Sequence, residues 1–210
     1  MATISAAIQS TADVIKALDK RIQYFHDNGA RVSDHGLDMV PFVEPDRTLA
    51  DKALQDGMAG KSVDPLHLEH YQTAVLVALG KLYHDRGWAQ QYHMNAIRNN
   101  NTRLFKAFGP DTGVDSITDT PVAEKLLALM DAQDAAGHLP KTILYSLNPA
   151  ANYILDTAAG CFQGGTPGKV QFGSAWWFLD QLDGMRDQMR TLASVGLISN
   201  FIGMLTDSRL

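Results

Sequence analysis

The chain has 210 residues, of which 45% are hydrophobic and 20% are charged. This composition is that of an ordinary folded protein, and it excludes disordered and collagen-like classes. The formal net charge of -5 argues against nucleic acid as a partner, because wrapping phosphate backbones needs a basic surface. No repeat or low-complexity linker divides the sequence, so residues 1–210 are predicted to form a single domain.

The cysteine count and the hydropathy pattern indicate where in the cell the protein is located. The single cysteine, Cys161, has no partner for an internal disulfide, which favours a reducing environment. No run of about 18 apolar residues occurs, so a membrane-spanning helix is not expected. The first residues lack the pattern of a secretory signal. The expectation is therefore a cytoplasmic protein without membrane contact.

Hydrophobic spacing and the glycine and proline signals predict the elements of the first half. In chain order they are a helix over residues 5–28, a strand over 30–36, helices over 46–60 and 65–86, and a strand over 88–97. Asp64 followed by Pro65 is a typical helix start, an N-cap and a proline in the first turn. The segment 98–116 is rich in Asn, Gly and Asp, and a loop of this length tends to be functional.

The second half continues the alternation of helices and strands. The predicted elements are a helix over residues 119–137, a strand over 141–148, a helix over 149–162, a strand over 169–175, a helix over 177–196 and a strand over 201–207. Asp119 or Thr120 is the expected cap of the first of these helices, with Pro121 at its start. Alternating strands and helices predict an α/β fold with parallel pairing. Five strands fit either an open doubly wound sheet or the later part of a (β/α)8 barrel.

Polar and aromatic residues follow every predicted strand. Because parallel strands end on one rim, these residues are expected to converge on a single site. The candidates are Asp34, His35, His93, Arg98, Trp176, Trp177, Asp207 and Arg209. Each has an ordinary structural alternative when taken alone: the first two could cap a helix, His93 could be a satisfied core histidine, and the tryptophans could only pack. Their combination on one rim favours a functional site.

The residue types indicate the chemistry of this site. Asp and His side chains can hold a divalent metal such as zinc or manganese. Arg98 and Arg209 match carboxylates in a bidentate manner, which predicts an anionic substrate. Asparagines and tryptophans suit a sugar, through amide hydrogen bonds and an apolar ring face. No phosphate-binding glycine motif is present, so no nucleotide cofactor is expected.

Six motifs resemble the uronate isomerase (glucuronate isomerase) family of the amidohydrolase superfamily, in the order in which that family has them. They are SDHG, QYHMNAIRNNN, GPDTGVDSITD, LPKTILYSLNP, GKVQFGSAWWFLDQLDGM and GMLTDSR. The resemblance extends from about Ile15 to the last residue. It implies a (β/α)8 barrel and an enzyme that interconverts D-glucuronate with D-fructuronate and D-galacturonate with D-tagaturonate.

The resemblance also implies roles for individual residues. Asp207 is the acid at the end of the last barrel strand, a metal ligand and the candidate base, and Arg209 beside it binds substrate. His93 and Asp34 are further catalytic candidates. Arg98 occupies the position of the family's arginine, and His35, Trp176 and Trp177 are expected to contact the substrate.

The sequence departs from the family pattern in two ways. Asn95 stands where glycine is expected and Met94 where a branched aliphatic residue is usual. Family members are about twice as long and begin their barrel with a His-x-His pair, which this sequence lacks. The strands are therefore expected to be the fourth to eighth of a partial barrel. Unpaired edge strands predict association with a second copy or with the missing N-terminal half.

Two other functions remain open from the sequence. The chain could be a non-catalytic fragment that keeps the fold or the binding of a sugar acid. It could also be a hydrolase of the amidohydrolase superfamily, although the matched motifs favour an isomerase.

Overall fold

The structure is a computed structural model that describes residues 8–204. Its helices are α1 Thr11–Asp27, α2 Arg47–Met58, α3 Pro65–Asp85, α4 Thr102–Phe108, α5 Ala123–Asp134, α6 Asn152–Cys161 and α7 Leu182–Val195. Its strands are β1 Val32–Leu37, β2 Ala89–Met94, β3 Ala96–Ile97, β4 Ser116–Ile117, β5 Lys141–Ser146 and β6 Val170–Phe172. Short 3-10 turns lie at Pro149–Ala151, Trp177–Leu179 and Ile198–Asn200.

Local capping explains where the first helices begin. Ser10 and Asp13 form a capping box at the start of α1. The carboxylate of Asp46 accepts two backbone N–H groups at the start of α2. Asp64 does the same for α3, with Pro65 in the first turn, as the sequence predicts.

Several boundaries differ from the predictions. The 98–116 segment contains α4, because the Asn101 side chain accepts a hydrogen bond from the Leu104 N–H and caps a short helix. The helix expected from residue 119 begins at Ala123, so neither predicted cap lies directly before it. The helix expected from 177 begins at Leu182, after a 3-10 turn and a cap by Gln181. Residues 201–204 contain no strand, and the rest of that predicted strand lies outside the described residues.

Two compact units, interleaved in sequence, account for the described residues. The first contains residues 8–33, Pro41–Gln90 and Lys125–Pro140. In it α3 packs against α1 and α2, and a cluster of Ile22, Leu79, Tyr83 and Trp88 is buried. The Tyr83 and Trp88 rings are stacked with centroids 5.7 Å apart. Burial of these large side chains is the main stabilising contribution in this unit.

The second unit contains Asp34–Val40, Gln91–Glu124 and residues 141–204. The carboxyl ends of β1, β2, β5 and β6 lie in this unit. These strands form a four-stranded sheet in the order β1-β2-β5-β6, which is also their order in the chain. β5 and β6 are parallel, with Ile143 opposite Gln171. β5 is buried from Thr142 to Ser146, as expected of a strand covered on both faces. α6 packs on β5, β6 and α7.

The α/β fold predicted from the sequence is confirmed, with helices and a parallel sheet. A small antiparallel ribbon of β3 and β4, which the sequence did not predict, joins the two ends of the 98–116 segment. The single domain over residues 1–210 stays a prediction. Within residues 8–204, no helix combines the length and the apolar character needed to cross a membrane.

Candidate active site

A cavity of about 710 Å³ lies in the second unit, beyond the carboxyl ends of the sheet strands. Five of the six predicted site residues that the structure describes line it, and His35 is the exception. The lining includes Asp34, Gln91, His93, Arg98, Asp111, Asp115, Tyr145, Trp176, Trp177 and Asp180. Its size is within the usual range of small-molecule sites.

Asp34 and His93 form a hydrogen-bonded pair on this cavity. The Nδ1 atom of His93 lies 2.6 Å from Oδ1 of Asp34. The His93 side chain is only 16% exposed, whereas that of Asp34 is 58% exposed. A carboxylate on one ring nitrogen sets the orientation of an imidazole and directs the other nitrogen to a reacting group. The pair can therefore give and take a proton at His93 Nε2.

Two aromatic rings enclose the His93 imidazole. The Tyr145 ring is parallel to it, with centroids 4.4 Å apart and an interplanar angle of 4°. The Trp176 ring meets it edge to face at 4.5 Å. The Tyr145 hydroxyl donates a hydrogen bond to Oε1 of Gln91 at 2.9 Å. Burial and the charge of Asp34 raise the pKa of Tyr145 to about 12, so this hydroxyl stays protonated at neutral pH.

Asn95, where the resemblance predicts glycine, has a backbone conformation that glycine adopts easily. Its φ is +64°, in the left-handed region, where Asn is among the few side chains tolerated. Its amide nitrogen donates to the carbonyls of Thr118 and Thr120, and its amide oxygen accepts from Ser146. The Asn95 side chain thus ties this turn to the neighbouring segments. This turn ends β2 just after His93.

Arg98 lies in a second cluster on the same cavity. Its Nη1 atom is 3.9 Å from carboxylate oxygens of Asp111 and of Asp115. Its guanidinium carbon is 5.1 Å from the centroid of the Trp177 ring. Contacts of 3.9 Å are longer than hydrogen bonds, so the guanidinium fork remains available to a carboxylate of a ligand.

The backbone around Arg98 is unusual. Asn99, Asp111 and Trp177 all have positive φ, the last at +52°. A bulky residue in that region costs about 1–3 kcal/mol, and such strain is concentrated at functional sites. The Asn99 N–H donates to Asp115, and the Asp111 N–H donates to the Asn99 side chain. These bonds hold the loop that carries the two acids.

The structure does not bring every predicted residue to the cavity. His35 alternates with Asp34 along β1, and its ring lies 6.0 Å from that of Tyr92 instead of in the cavity lining. Burial lowers the pKa of His35, and the charge of Asp34 opposes that effect. Asp207 and Arg209 lie outside the described residues. Their roles stay predictions.

The sequence places Tyr145 at the end of a predicted strand but assigns no role to it, nor to Gln91 or Asp115. Both Tyr145 and Gln91 line the cavity. Tyr145 is next to the last residue of β5, and Gln91 lies two residues before His93 in β2. The sequence signal for Gln91 was its spacing of two residues from His93, which places both side chains on the same face of the strand. Asp115 lies in the long loop, where several acids are equally plausible from the sequence.

The described residues do not fit a metal centre. Within residues 8–204, no three His, Cys, Asp or Glu side chains come together as a ligand group. The Asp34–His93 pair supplies two groups, and they are hydrogen-bonded to each other. The predicted ligand Asp207 is not among the described residues.

The fold and the cavity together define an α/β protein with a polar site at the strand ends of a parallel sheet. Residues 1–210 match the UxaC family, glucuronate isomerase, and the chain belongs to that family. A uronate isomerase from Pectobacterium atrosepticum is 52% identical over 203 residues. That alignment covers 96% of this chain and 43% of the relative, so the chain spans less than half the length of that protein.

Two crystal structures are also similar. A uronate isomerase from Thermotoga maritima has a TM-score of 0.86 at 32% identity, covering 96% of this chain and 43% of that one. A glucuronate isomerase from Caulobacter crescentus has a TM-score of 0.79 at 26% identity, covering 93% and 40%. The family resemblance predicted from the motifs is confirmed.

Proposed function

We propose that this chain supplies active-site residues of a uronate isomerase. The expected reactions are D-glucuronate to D-fructuronate and D-galacturonate to D-tagaturonate. The observation that carries the proposal is that the Asp34–His93 pair lines the same cavity as Arg98, in a chain of the glucuronate isomerase family. A pair that transfers protons and a guanidinium that binds carboxylates are what the isomerisation of a sugar acid requires.

We also propose that the sheet is part of a (β/α)8 barrel, with β1, β2, β5 and β6 as its fourth to seventh strands. The support is the sheet order, which follows the chain without reversal. Doubly wound sheets reverse their order at a switch point, whereas barrel strands succeed one another. The eighth strand is expected within residues 201–207; residues 201–204 contain no strand, and residues 205–207 lie outside the described residues.

The proposed chemistry is an enediol route. A base removes the proton from C2 while an acid protonates O1; the enediol then loses the O2 proton and regains a proton at C1. Asp207 is the proposed base for the C2 proton. His93, held through Nδ1 by Asp34, is the proposed acid for O1, and Asp34 is a positioning residue.

Arg98 is proposed to bind the substrate carboxylate. It is the cation among the described residues that line the cavity, and it lies next to the face of Trp177. A ligand carboxylate can approach the fork and replace the distant contacts to Asp111 and Asp115. Arg209, Trp176, Trp177 and His35 remain proposed substrate contacts, although His35 has no support from the cavity lining.

Other parts of the proposal rest on the sequence. A divalent metal such as zinc or manganese is proposed as a cofactor with Asp207 as a ligand, and no step of the proposed chemistry depends on it. No nucleotide or nucleic acid is proposed. A cytoplasmic location is proposed because the sequence has one cysteine.

The test uses the complete product of the gene that encodes this chain, called the full gene product below. It is incubated with D-glucuronate, D-galacturonate or, as a control without a carboxylate, D-glucose, and the products are identified by 13C NMR. Ketose formation from the two uronates, and not from glucose, is expected. No conversion of either uronate would contradict the proposal.

The role of Asp207 is tested in the same protein. Asp207→Asn keeps the shape but removes the basic carboxylate, so kcat should fall about 100-fold or more, with a smaller change in KM. Arg209→Lys keeps the charge but loses the planar fork and should chiefly raise KM. Kinetics within twofold of wild type in both variants, with normal circular dichroism, would remove this strand end from the mechanism.

A second candidate function is binding without catalysis by the 210-residue chain alone. Within the described residues, β1 and β6 are the outer strands of the sheet, and Val32 in β1 is 50% exposed. Such edges favour pairing with a second copy or with another segment of the protein. The 210-residue chain should bind D-glucuronate weakly, elute as an oligomer and show no turnover. Turnover by the isolated chain would exclude this candidate.

A further inference from the structure

We propose that Tyr145 is a positioning residue whose ring fixes the plane of the His93 imidazole. The expected effect on rate rests on the proposed function, whereas the effect on His93 itself does not. The two rings are parallel within 4° at 4.4 Å, and the same imidazole bonds Asp34 at 2.6 Å. A rotation of the imidazole about its Cβ–Cγ bond would break the stacking and the hydrogen bond together.

Tyr145 is itself held from several sides. The residue is 2% exposed, and its hydroxyl donates a hydrogen bond to Gln91, which lies two residues before His93 in β2. Gly173 lies against its ring, where any Cβ would clash with the aromatic carbons. A side chain at position 173 would thus displace the ring on which His93 rests.

The backbone of Gly173 is fixed in turn. Its N–H donates to the carbonyl of Leu144 at 2.9 Å. Its carbonyl accepts a buried hydrogen bond from Nε2 of Gln188 at 2.7 Å. The position of Tyr145 is therefore set by β5, by the end of β6 and by α7, and not by a single contact.

Trp176 completes the enclosure of the imidazole with an edge-to-face contact at 4.5 Å. The contacts with Tyr145, Trp176 and Asp34 together fix the orientation of the imidazole, and therefore the direction in which its Nε2 atom points. Precise placement of this kind matters, because a shift of about 1 Å in a catalytic group can lower the rate about 100-fold.

A direct chemical role for the Tyr145 hydroxyl fits the structure less well. The hydroxyl proton is engaged with Gln91, and burial keeps the phenol protonated. The ring, and not the hydroxyl, makes the contact with His93. The positioning role thus predicts that an aromatic replacement retains the effect and an aliphatic one loses it.

The test compares Tyr145→Leu with Tyr145→Phe in the full gene product labelled with 15N-histidine. Long-range 1H–15N NMR reads the tautomer of His93, and His93→Asn assigns its signals. A single tautomer with the proton on Nδ1 is expected in wild type and in Tyr145→Phe when the imidazole is neutral. A mixture of tautomers is expected in Tyr145→Leu, with kcat about 10- to 100-fold lower and KM less affected. Tyr145→Phe should recover most of kcat.

Phe172→Leu is the matched control, since Phe172 is also a buried ring of the sheet, whereas the ring contacts of His93 are with Tyr145 and Trp176. It should leave the His93 spectrum unchanged. If Tyr145→Leu does not fold, Tyr145→Met keeps more of the volume and serves instead. A wild-type tautomer in the aliphatic variant would overturn the positioning role, whatever the kinetics. A wild-type protein that converts no uronate would contradict the proposed function, while the NMR result would still decide the role of Tyr145.

Discussion

Two clusters on one cavity differ in how firmly they are held. Around His93, the contacts are short: a 2.6 Å hydrogen bond and two rings at 4.4 and 4.5 Å. Around Arg98, the ionic contacts are 3.9 Å long, and the side chain is 45% exposed. A group that transfers a proton needs a fixed position, whereas a group that exchanges protein carboxylates for a ligand carboxylate needs freedom. The difference indicates a division of labour between chemistry and binding.

The largest effect is expected from His93→Asn. The variant keeps a polar side chain of similar reach but cannot give or take a proton near neutral pH, so kcat should fall about 100- to 10,000-fold. KM should change little, because the Arg98 cluster is intact. Initial rates with D-glucuronate measure both values. A kcat within tenfold of wild type would show that His93 and its neighbours do not perform the chemistry.

A smaller loss is expected from Asp34→Asn. Loss of one charged hydrogen bond to His93, worth about 1.5–3 kcal/mol, should lower kcat about 10- to 100-fold. KM should change less, because the Arg98 cluster is intact. Initial rates with D-glucuronate measure both values, and a kcat within twofold of wild type would show that Asp34 does not act through His93.

Arg98→Lys should affect binding instead. The ammonium keeps the charge but cannot match a carboxylate with two parallel hydrogen bonds, so KM should rise about tenfold with kcat nearly retained. Steady-state kinetics over a range of D-glucuronate concentrations separate the two values. Arg103→Lys is a control on the exposed helix α4, which is outside the cavity lining. A fall in kcat with unchanged KM would reverse the proposed division of labour.

The smallest effect on activity is expected from Asp156→Asn, a variant that should change the free energy of unfolding instead. Asp156 is 3% exposed and its Oδ2 has no hydrogen-bond partner among the described residues, in contrast with the paired Asp34. Burial raises its pKa to about 6 from the ordinary 3.8. The carboxyl is thus tolerated when protonated, and the folded state loses stability as the pH rises from about 4 through 6.

The asparagine cannot ionise, so the variant should be more stable than wild type at pH 8, by on the order of 1–3 kcal/mol. The gain should vanish as the pH approaches 4. Urea unfolding at pH 8 and at pH 4.5 measures it, with kcat expected to stay within twofold. An equal gain at both pH values would mean that ionisation of Asp156 is not the cause.

Elements with strong local signals could be predicted from the sequence. Asp64 and Pro65 define the start of α3 by local hydrogen bonding and a fixed φ, and neither depends on distant residues. The start of α7 could not be predicted, because Trp177 adopts a strained backbone that only its surroundings enforce. α4 was missed because Asn101 and its polar neighbours also fit a loop.

In the candidate site too, features set by local pattern could be predicted, and features set by distant residues could not. Strand ends in a parallel sheet bring Asp34 and His93 to one rim, so their proximity could be predicted from alternation alone. The stacking of Tyr145 could not, because it depends on Gly173 in a different strand end and on Gln188 in α7. The partners of Arg98 were also hidden, since long loops carry many acids and few constraints on their positions.

In the proposed mechanism the Asp34–His93 pair performs the chemistry and the Arg98 cluster binds the carboxylate. The most direct test measures kcat/KM of wild type and Arg98→Lys on D-glucuronate and on its neutral C6 amide. We expect the substitution to lower kcat/KM about tenfold for the acid and much less for the amide, because only the acid offers a carboxylate to the guanidinium fork. Equal losses on both substrates would contradict it.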